Sequence, residues 1–217
     1  MPDPVKPHAL VWQAVREDDV DQVKRLFKEY PEIREWTLPA FGTWLHYASG
    51  HGAMAVLEYL VATGTDVNAK NRDGATPLEE AAARNQLRVV DRLLSLGANL
   101  NVDTPLTNAL FGCIAGSAMD GHPVHQSGNS PSDRLKIARR LLDAGLDPTV
   151  RYDSDTMKQM DSVAFAWMFG LRDIARLIAD RITHGDAAQI EALLLAAEET
   201  AEHNTEPVPK DEDYRPS

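Results

Sequence analysis

Apolar residues recur along this chain at helical spacing, in short segments separated by turns of glycine, asparagine or acidic residues. In one such segment Val20, Val23 and Phe27 lie on one face of a predicted helix that begins after Asp18 and Asp19. The pattern predicts short amphipathic helices joined in pairs. No apolar run is long enough to cross a bilayer, so a membrane protein is not expected.

The predicted helix pairs repeat with a period of 33 residues. The segment TWLHYA at residues 43–48 is followed 33 positions later by TPLEEA at 76–81, and LVATGTDVN at 60–68 is followed by LLSLGANLN at 93–101. A period of this length is typical of solenoids, in which one structural unit is stacked many times. Asn85 stands where Gly52 ends the first helix of the preceding repeat, and both residue types tolerate a positive φ.

The period, the T-P-L-H-x-A-like openings and the G-A-D-V-N-like endings resemble the ankyrin repeat family. The resemblance implies an all-α ankyrin-repeat solenoid of about five helix-turn-helix repeats, with short hairpin fingers and a C-terminal capping helix. It also implies that His46 links neighbouring repeats through hydrogen bonds. The motif threonines Thr43, Thr76 and Thr104 are expected helix N-caps, and Asp161 takes their place in repeat five.

Repeat four departs from the regular spacing in two places. Only three residues lead from Asn101 to Thr104, where the preceding repeat takes eight, so a shortened finger is predicted. A further 41 residues lead from Thr104 to Gly145, where repeat three takes 21 over the same interval. This predicts an insertion of about 20 residues between the two helices, at about 116–131, ending where Pro131 opens a helix.

We expect a single ankyrin-repeat domain over residues 1–200 and an acidic, disordered tail over 201–217. Ile190, Leu193, Leu194 and Ala197 form one apolar stripe, which is typical of a capping helix that covers the last repeat on one side only. The tail lacks an apolar period and is rich in acidic residues and proline.

Charge and composition limit the classes of partner. The chain has 33 acidic and 22 basic residues, a formal net charge of −11, so nucleic-acid binding is disfavoured and a basic protein partner is favoured. The alternative is that the charge serves solubility alone. The N-terminus has no apolar signal segment, so we expect a cytoplasmic protein. The single cysteine, Cys113, cannot form a disulfide within the chain. We expect the free protein to be a monomer.

Candidate chemistry is sparse. His122 and His125 would approach a metal ion together only on a helical turn, which Pro123 disfavours. Asp153 and Asp155 form a D-x-D without a phosphate-binding glycine loop, which favours a finger tip. No nucleophile motif or P-loop is present, so we expect no catalytic residues, no metal, no cofactor and no enzymatic activity.

The resemblance places partner binding in a concave groove, lined by the residues seven and eight positions after each motif threonine, and on the fingers. The candidate partner-binding residues are Trp36, His51, Arg72, Asp73, Arg84, Phe111, Tyr152, Asp155, Met168 and Phe169. Two alternatives stay open for Phe111, Met168 and Phe169: they anchor a partner, or the inserted loop or the cap covers them. Trp36 either is exposed and anchors a partner or packs against the first repeat. For Trp44, packing against the first repeat is favoured.

Two functions remain. The first is a module that binds and inhibits one partner, since small acidic ankyrin arrays resemble the immunity proteins that bacteria encode beside secreted toxins. The second is an adaptor or regulatory subunit that holds a partner without blocking its activity.

Overall fold

The computed structural model describes residues 6–37, 42–100, 108–116, 131–152 and 160–204, and within them the chain forms eleven α-helices and one short strand pair. The helices are α1 (Pro7–Arg16), α2 (Val20–Glu29), α3 (Trp44–His51), α4 (Met54–Ala62), α5 (Pro77–Ala83), α6 (Leu87–Ser95), α7 (Ala109–Ala115), α8 (Pro131–Asp143), α9 (Ser162–Met168), α10 (Arg172–Thr183) and α11 (Ala187–Asn204). A 3₁₀ turn covers Pro31–Ile33, and β1 (Arg151–Tyr152) pairs antiparallel with β2 (Met160–Asp161).

The helices pair and stack in sequence order, which confirms the all-α ankyrin-repeat solenoid. The first helices of successive pairs, α1, α3, α5, α7 and α9, each pack on the next, while among the second helices α6 packs on α8 and α8 on α10. Helix α11 packs on both α9 and α10 and caps the array. None of the helices described is both long and apolar enough to span a membrane.

Residues with positive φ end the first helix of several pairs. Gly52 has φ 73° and Asn85 has φ 59°, which confirms the expected equivalence of these two positions. Asp18 takes the same place in the first pair with φ 54°, a conformation that non-glycine residues adopt at some cost. The turn lets the second helix of each pair return antiparallel to the first.

The Asp18 carboxylate joins the first two repeats. It accepts hydrogen bonds from the backbone N–H groups of Ala55 (3.1 Å) and Val56 (2.9 Å), at the start of α4 in the next repeat. These are amide groups that the helix itself leaves unpaired. A side chain in repeat one therefore caps a helix of repeat two.

Replacing Asp18 with alanine is expected to lower the free energy of unfolding by about 0.5 to 2 kcal/mol, because α4 loses its cap. Asp18→Asn keeps an acceptor oxygen and the tolerance for positive φ, and should retain most of the stability. Urea unfolding of both variants measures the effect. An equal loss in the two variants would contradict a capping role.

The structure corrects the register of repeat four. Asn108, not Thr104, is the N-cap of its first helix, and its side chain accepts a hydrogen bond from the backbone N–H of Leu110 (2.7 Å). Asn108 follows Asn101 by seven positions, against eight from Asn68 to Thr76, and the finger predicted to be short, at 101–107, lies outside the described residues. The pattern of apolar residues decides where the helix begins, because with this start Leu110 and Cys113 fill the core positions that Leu78 and Ala81 fill in repeat three.

The insertion in repeat four is shorter than predicted for the same reason. Counted from Asn108, Gly145 follows after 37 residues rather than 41, and α8 begins at Pro131 as expected. Residues 117–130 lie outside the described residues, and so do 101–107. Burial raises the pKa of the Cys113 thiol to about 12, as fits the buried apolar role expected for it.

The capping helix extends beyond the predicted domain boundary at residue 200. Ile190, Leu194 and Ala197 of the predicted apolar stripe are buried, whereas Leu193 is only partly buried. Ala201, the first residue assigned to the tail, is also buried in α11, which ends at Asn204. The rest of the predicted tail, 205–217, lies outside the described residues.

Candidate partner-binding groove

The residue three positions after the N-cap lies buried between neighbouring repeats. In repeat two this is His46, whose Nδ1 accepts from the backbone N–H of Thr43 (3.1 Å) while Nε2–H donates to the carbonyl of Ala75 in the next finger (3.0 Å). Burial lowers the pKa of His46, because it disfavours the charged form of the ring. The expected linking role of His46 is confirmed.

The residues seven and eight positions after each N-cap form a row along the first helices. In repeats two, three and five these are Gly50 and His51, Ala83 and Arg84, and Met168 and Phe169. His51 is exposed and the other five are half-buried, so this row is accessible. We call this row the groove.

An open pocket lies in the groove between α3 and α5. It is small, with a cavity volume of about 30 Å³, and it is open to solvent. The lining residues are His46, Tyr47, Gly50, His51, Glu80 and Arg84. Because Gly50 has no side chain, the space above the last turn of α3 stays open beside Arg84 and Glu80.

Three aromatic rings support one wall of the pocket. The ring of Trp12, from α1, stacks on Tyr47 at 5.7 Å with an interplanar angle of 22°. The Tyr47 ring in turn contacts His51 at 4.3 Å. The stack runs from repeat one into repeat two and gives the wall a fixed shape, since each ring restricts its neighbour.

Positive charge acts on the same wall. Partial burial raises the pKa of Tyr47, against an opposing effect of the charges of Arg16 and Arg84. Partial burial against its neighbours also lowers the pKa of His51, and the charges of Arg84 and Arg16 lower it further. Both rings therefore lie in the field of two guanidinium groups.

Phe111 and Tyr152 are buried, so neither presents its side chain to a partner, and for Phe111 the structure agrees with the alternative that the residue is covered. Phe111 is 2% exposed and packs against Tyr152 (5.3 Å between ring centroids) and Phe165 (5.0 Å). The corrected register explains its position, because Phe111 lies three residues after Asn108, the place that His46 takes in repeat two. Tyr152 is 6% exposed, since β1 turns its ring onto Phe165.

Met168 and Phe169 are neither fully exposed nor fully covered, so the structure does not decide between the two alternatives that the sequence leaves open. Both are partly buried, and the Phe169 ring packs on Phe165 at 4.9 Å. Each still presents some apolar surface at the C-terminal end of the groove. Whether a partner uses that surface stays a prediction.

The two tryptophans near the first finger differ in exposure. Trp44 is buried and donates its indole N–H to the carbonyl of Ile33 (2.7 Å), which confirms the packing interpretation for this residue. Trp36 is 38% exposed, with its ring near those of His8 (4.8 Å) and Trp44 (6.2 Å). Trp36 is thus accessible to a partner and also packed on one side.

Arg72 and Asp73 are exposed at the tip of the finger between repeats two and three. The Asn71 side chain shapes this finger by accepting from the backbone N–H groups of Asp73 (3.0 Å) and Ala75 (2.8 Å). Because Ala75 also receives the hydrogen bond of His46, the finger is tied to the repeat that carries the pocket. Asp155 lies outside the described residues.

The described residues contain no group of three or more histidine, cysteine, aspartate or glutamate side chains arranged for a metal ion. His122, His125 and Asp153 lie outside them. Of the residues that line or support the pocket, the predicted partner-binding residues do not include Trp12, His46, Tyr47, Gly50 and Glu80. Tyr47 and Glu80 each lie four residues before a predicted groove residue, His51 or Arg84, and this helical spacing is the signal in the sequence that could have identified them.

The stacked helix pairs and the open groove define a class of protein: a helical repeat solenoid with an accessible groove along its first helices. Residues 11–104 match the family described as ankyrin repeats, in three copies, so this part of the chain belongs to the ankyrin repeat family. The pairs α7–α8 and α9–α10 continue the same packing beyond the matched range.

Similar proteins occur in animals and plants. The chain is 30% identical over 152 residues to the ARF GTPase-activating protein Git of Drosophila melanogaster, which covers 69% of this chain and 20% of that protein. It is 30% identical over 111 residues to the E3 ubiquitin-protein ligase XBAT32 of Arabidopsis thaliana, which covers 51% and 22%. It is 35% identical over 91 residues to the BTB/POZ domain and ankyrin repeat-containing protein NPR3 of Oryza sativa subsp. japonica, which covers 42% and 15%. This chain spans about a fifth or less of the length of these relatives.

Proposed function

We propose that this chain is a non-enzymatic module that binds one specific protein through its groove and inhibits it, as a toxin immunity protein does. The observation that carries the proposal is the open pocket between α3 and α5, with aromatic and charged walls and a glycine floor. Aromatic and arginine side chains are enriched where binding energy concentrates at interfaces. The ankyrin repeat family supports the coarser statement, a protein-protein interaction module.

Within this proposal, the domain predicted over residues 1–200 is completed by α11 to residue 204 and acts as one unit in the cytoplasm, and the free protein is a monomer. The partner-binding residues are those that the structure leaves accessible: Trp36, His51, Arg72, Asp73, Arg84, Met168 and Phe169. The net charge of −11 supports a partner that is basic overall, because opposite net charges accelerate the encounter of two proteins.

A second candidate is an adaptor that holds its partner without inhibiting it. The observation that favours it is that proteins named for other activities, a GTPase-activating protein and a ubiquitin-protein ligase, contain segments similar to this chain. In an adaptor the repeats would recruit a protein for an activity that resides elsewhere.

The test fills the pocket with a large side chain. A β-carbon at Gly50 would meet only ordinary contacts, at 3.5 Å from Cγ of Arg84 and 3.7 Å from Glu80, so Gly50→Trp should fold normally and obstruct the pocket. Ala62→Trp adds the same side chain to the exposed end of α4 and is the matched control. Tagged wild-type protein and both variants are used for affinity capture from the native host, read by quantitative mass spectrometry.

We expect one protein to be captured in stoichiometric amount by the wild type and by Ala62→Trp, and at least about tenfold less by Gly50→Trp. The purified partner is then assayed with increasing amounts of wild-type protein. Stoichiometric loss of its activity supports inhibition, and unchanged activity supports the adaptor. Equal capture by all three proteins would contradict binding in the groove.

A further inference from the structure

The second helices of neighbouring repeats are not equally close along the solenoid. Helix α2 packs on α4, α6 on α8 and α8 on α10, whereas α4 and α6 do not approach each other as closely as these pairs do. On the first-helix side of the same junction, α3 and α5 pack as extensively as α5 and α7. The junction between repeats two and three is therefore closed along its first helices and open, like a wedge, between its second helices.

An ion pair bridges the open side of this junction. Arg92 of α6 donates from Nε to one carboxylate oxygen of Glu58 on α4 (2.6 Å) and from a terminal nitrogen to the other oxygen (2.8 Å). A guanidinium group and a carboxylate that form two parallel hydrogen bonds hold each other in a defined orientation. A further hydrogen bond, from the backbone N–H of Asn99 to the side chain of Asn68 (2.7 Å), joins the segments that follow the two helices.

The exposure of this ion pair lets it open and close. The side chains of Arg92 and Glu58 are 38% and 45% exposed. An ion pair so exposed is stabilised only modestly, and salt weakens it further. Because the helix packing that holds the other second helices together is weaker here, the separation of α4 and α6 depends on the ion pair more than at the other junctions.

Two hydrogen bonds define the line about which the junction can bend. His46, near the start of α3, donates to the carbonyl of Ala75 (3.0 Å), and the side-chain amide of Gln86 donates to the carbonyl of Gly50, near the end of α3 (3.2 Å). Both ends of α3 are thus tied to repeat three. The pocket lies on the groove side of this line and the ion pair on the other side, so bending that separates α4 from α6 narrows the pocket.

We infer that the junction between repeats two and three is a hinge. The array bends about the contact between α3 and α5, and the Glu58–Arg92 pair is the clasp that holds α4 and α6 together. The inference goes beyond the proposed function, because the movement belongs to the free protein and is measured without a partner. It makes the width of the pocket depend on an ion pair on the opposite face of the solenoid.

The experiment measures the distance between α4 and α6 in the full-length chain by pulsed electron spin resonance. Spin labels are attached to Ala55→Cys and Arg88→Cys, at two exposed positions that are equivalent in neighbouring repeats. Cys113 is buried, so it does not take up the label. The labelled protein is compared with the same protein carrying Arg92→Gln, Glu58→Gln, or the exchanged pair Glu58→Arg with Arg92→Glu.

The control is the neighbouring junction, between α6 and α8. An ion pair of the same kind, Arg140 with Asp91 (3.1 Å), joins these two helices, which also pack closely. Spin labels at the exposed positions Arg88 and Arg139 report on their separation. Arg140→Gln is therefore the matched variant, since it removes an ion pair where the helix packing remains.

We expect Arg92→Gln and Glu58→Gln each to lengthen the α4–α6 distance by more than about 2 Å, the size that distinguishes a rearrangement from side-chain adjustment. The exchanged pair should restore the wild-type distance. Salt at about 1 M, where the Debye length is about 3 Å, should lengthen the distance in the wild type but not in Arg92→Gln. Arg140→Gln should leave the α6–α8 distance unchanged. Thermal melting within a few degrees of the wild type verifies that each variant folds.

Three results would overturn the inference. An unchanged α4–α6 distance in both single variants would mean that the junction is rigid without the ion pair. An equal shift between α6 and α8 in Arg140→Gln would mean that ion pairs hold every junction alike and that the hinge is not located between repeats two and three. A shift that the exchanged pair does not reverse would assign the effect to the substitutions and not to the loss of the clasp.

Discussion

Phe165→Ala is expected to lower the free energy of unfolding by about 3 to 5 kcal/mol. The Phe165 side chain has no exposed surface and lies at the centre of an aromatic cluster. Its ring centroid is 5.0 Å from Phe111 of repeat four, 4.8 Å from Tyr152 and 4.9 Å from Phe169. Alanine leaves a cavity that three rigid rings cannot fill, so most of the packing energy is lost.

The effect should concentrate at the C-terminal end of the solenoid, because each repeat contacts only its neighbours. Urea unfolding measures the loss, and hydrogen exchange shows whether α9, α10 and α11 open before the N-terminal repeats. Leu195→Ala, at a side chain that is 59% exposed on α11, is the control and should change stability by about 0.5 kcal/mol or less. A comparable loss in both variants would contradict the cluster as the core of this end.

Glu79→Gln is expected to stabilise the protein increasingly as the pH rises, by about 2 to 4 kcal/mol in total between pH 5 and 8. Glu79 is 6% exposed and accepts a hydrogen bond from the backbone N–H of Thr76 (2.6 Å). Its other oxygen is buried without a hydrogen-bond partner among the residues that the structure describes. Burial raises the pKa of this carboxyl group from 4.5 to about 8.

The direction follows from proton linkage. Between pH 4.5 and about 8 the folded protein keeps a proton on Glu79 that the unfolded chain has released. The stability that this proton contributes is complete below pH 4.5 and is lost as the pH rises towards 8. Glutamine is neutral throughout and escapes that loss.

Urea unfolding of the wild type and of Glu79→Gln is compared at each pH. The difference between their free energies of unfolding removes the contributions of titratable groups that both proteins contain. His46 is one such group: burial lowers its pKa, so its own contribution to stability is lost as the pH falls. Parallel stability curves for wild type and Glu79→Gln would show that Glu79 is ionised in the folded protein. Carbon-13 NMR of the Glu79 carboxyl group provides a direct second readout.

The regular part of the fold could be predicted because its determinants are local. The interval of 33 residues, the positive-φ turns at Gly52 and Asn85 and the N-cap at Asp161 depend only on residues close in the chain. Repeat four was different. Thr104 and Pro105 offer a good local start for a helix, yet the helix begins at Ala109, where the apolar residues face the neighbouring repeats.

The same distinction between regular repeats and repeat four applies to the candidate site. His51 and Arg84 could be found by counting from the motif threonines in two regular repeats, and both line the pocket. The same count in repeat four selected Phe111, which is buried, because the register there differs by four residues. Trp12 could not be found by counting, since its contact with Tyr47 joins residues 35 positions apart in different repeats.

The sequence by itself determined the class of fold, the approximate number of repeats and the N-caps of the regular repeats, because helix periodicity, capping and turn formation act over a few residues. Only the tertiary structure decided which aromatic side chains are covered and where a pocket opens. Burial depends on side chains contributed by neighbouring repeats, about 33 residues away along the chain. The pocket exists because α3 and α5 bring Tyr47, His51 and Arg84 together across that interval.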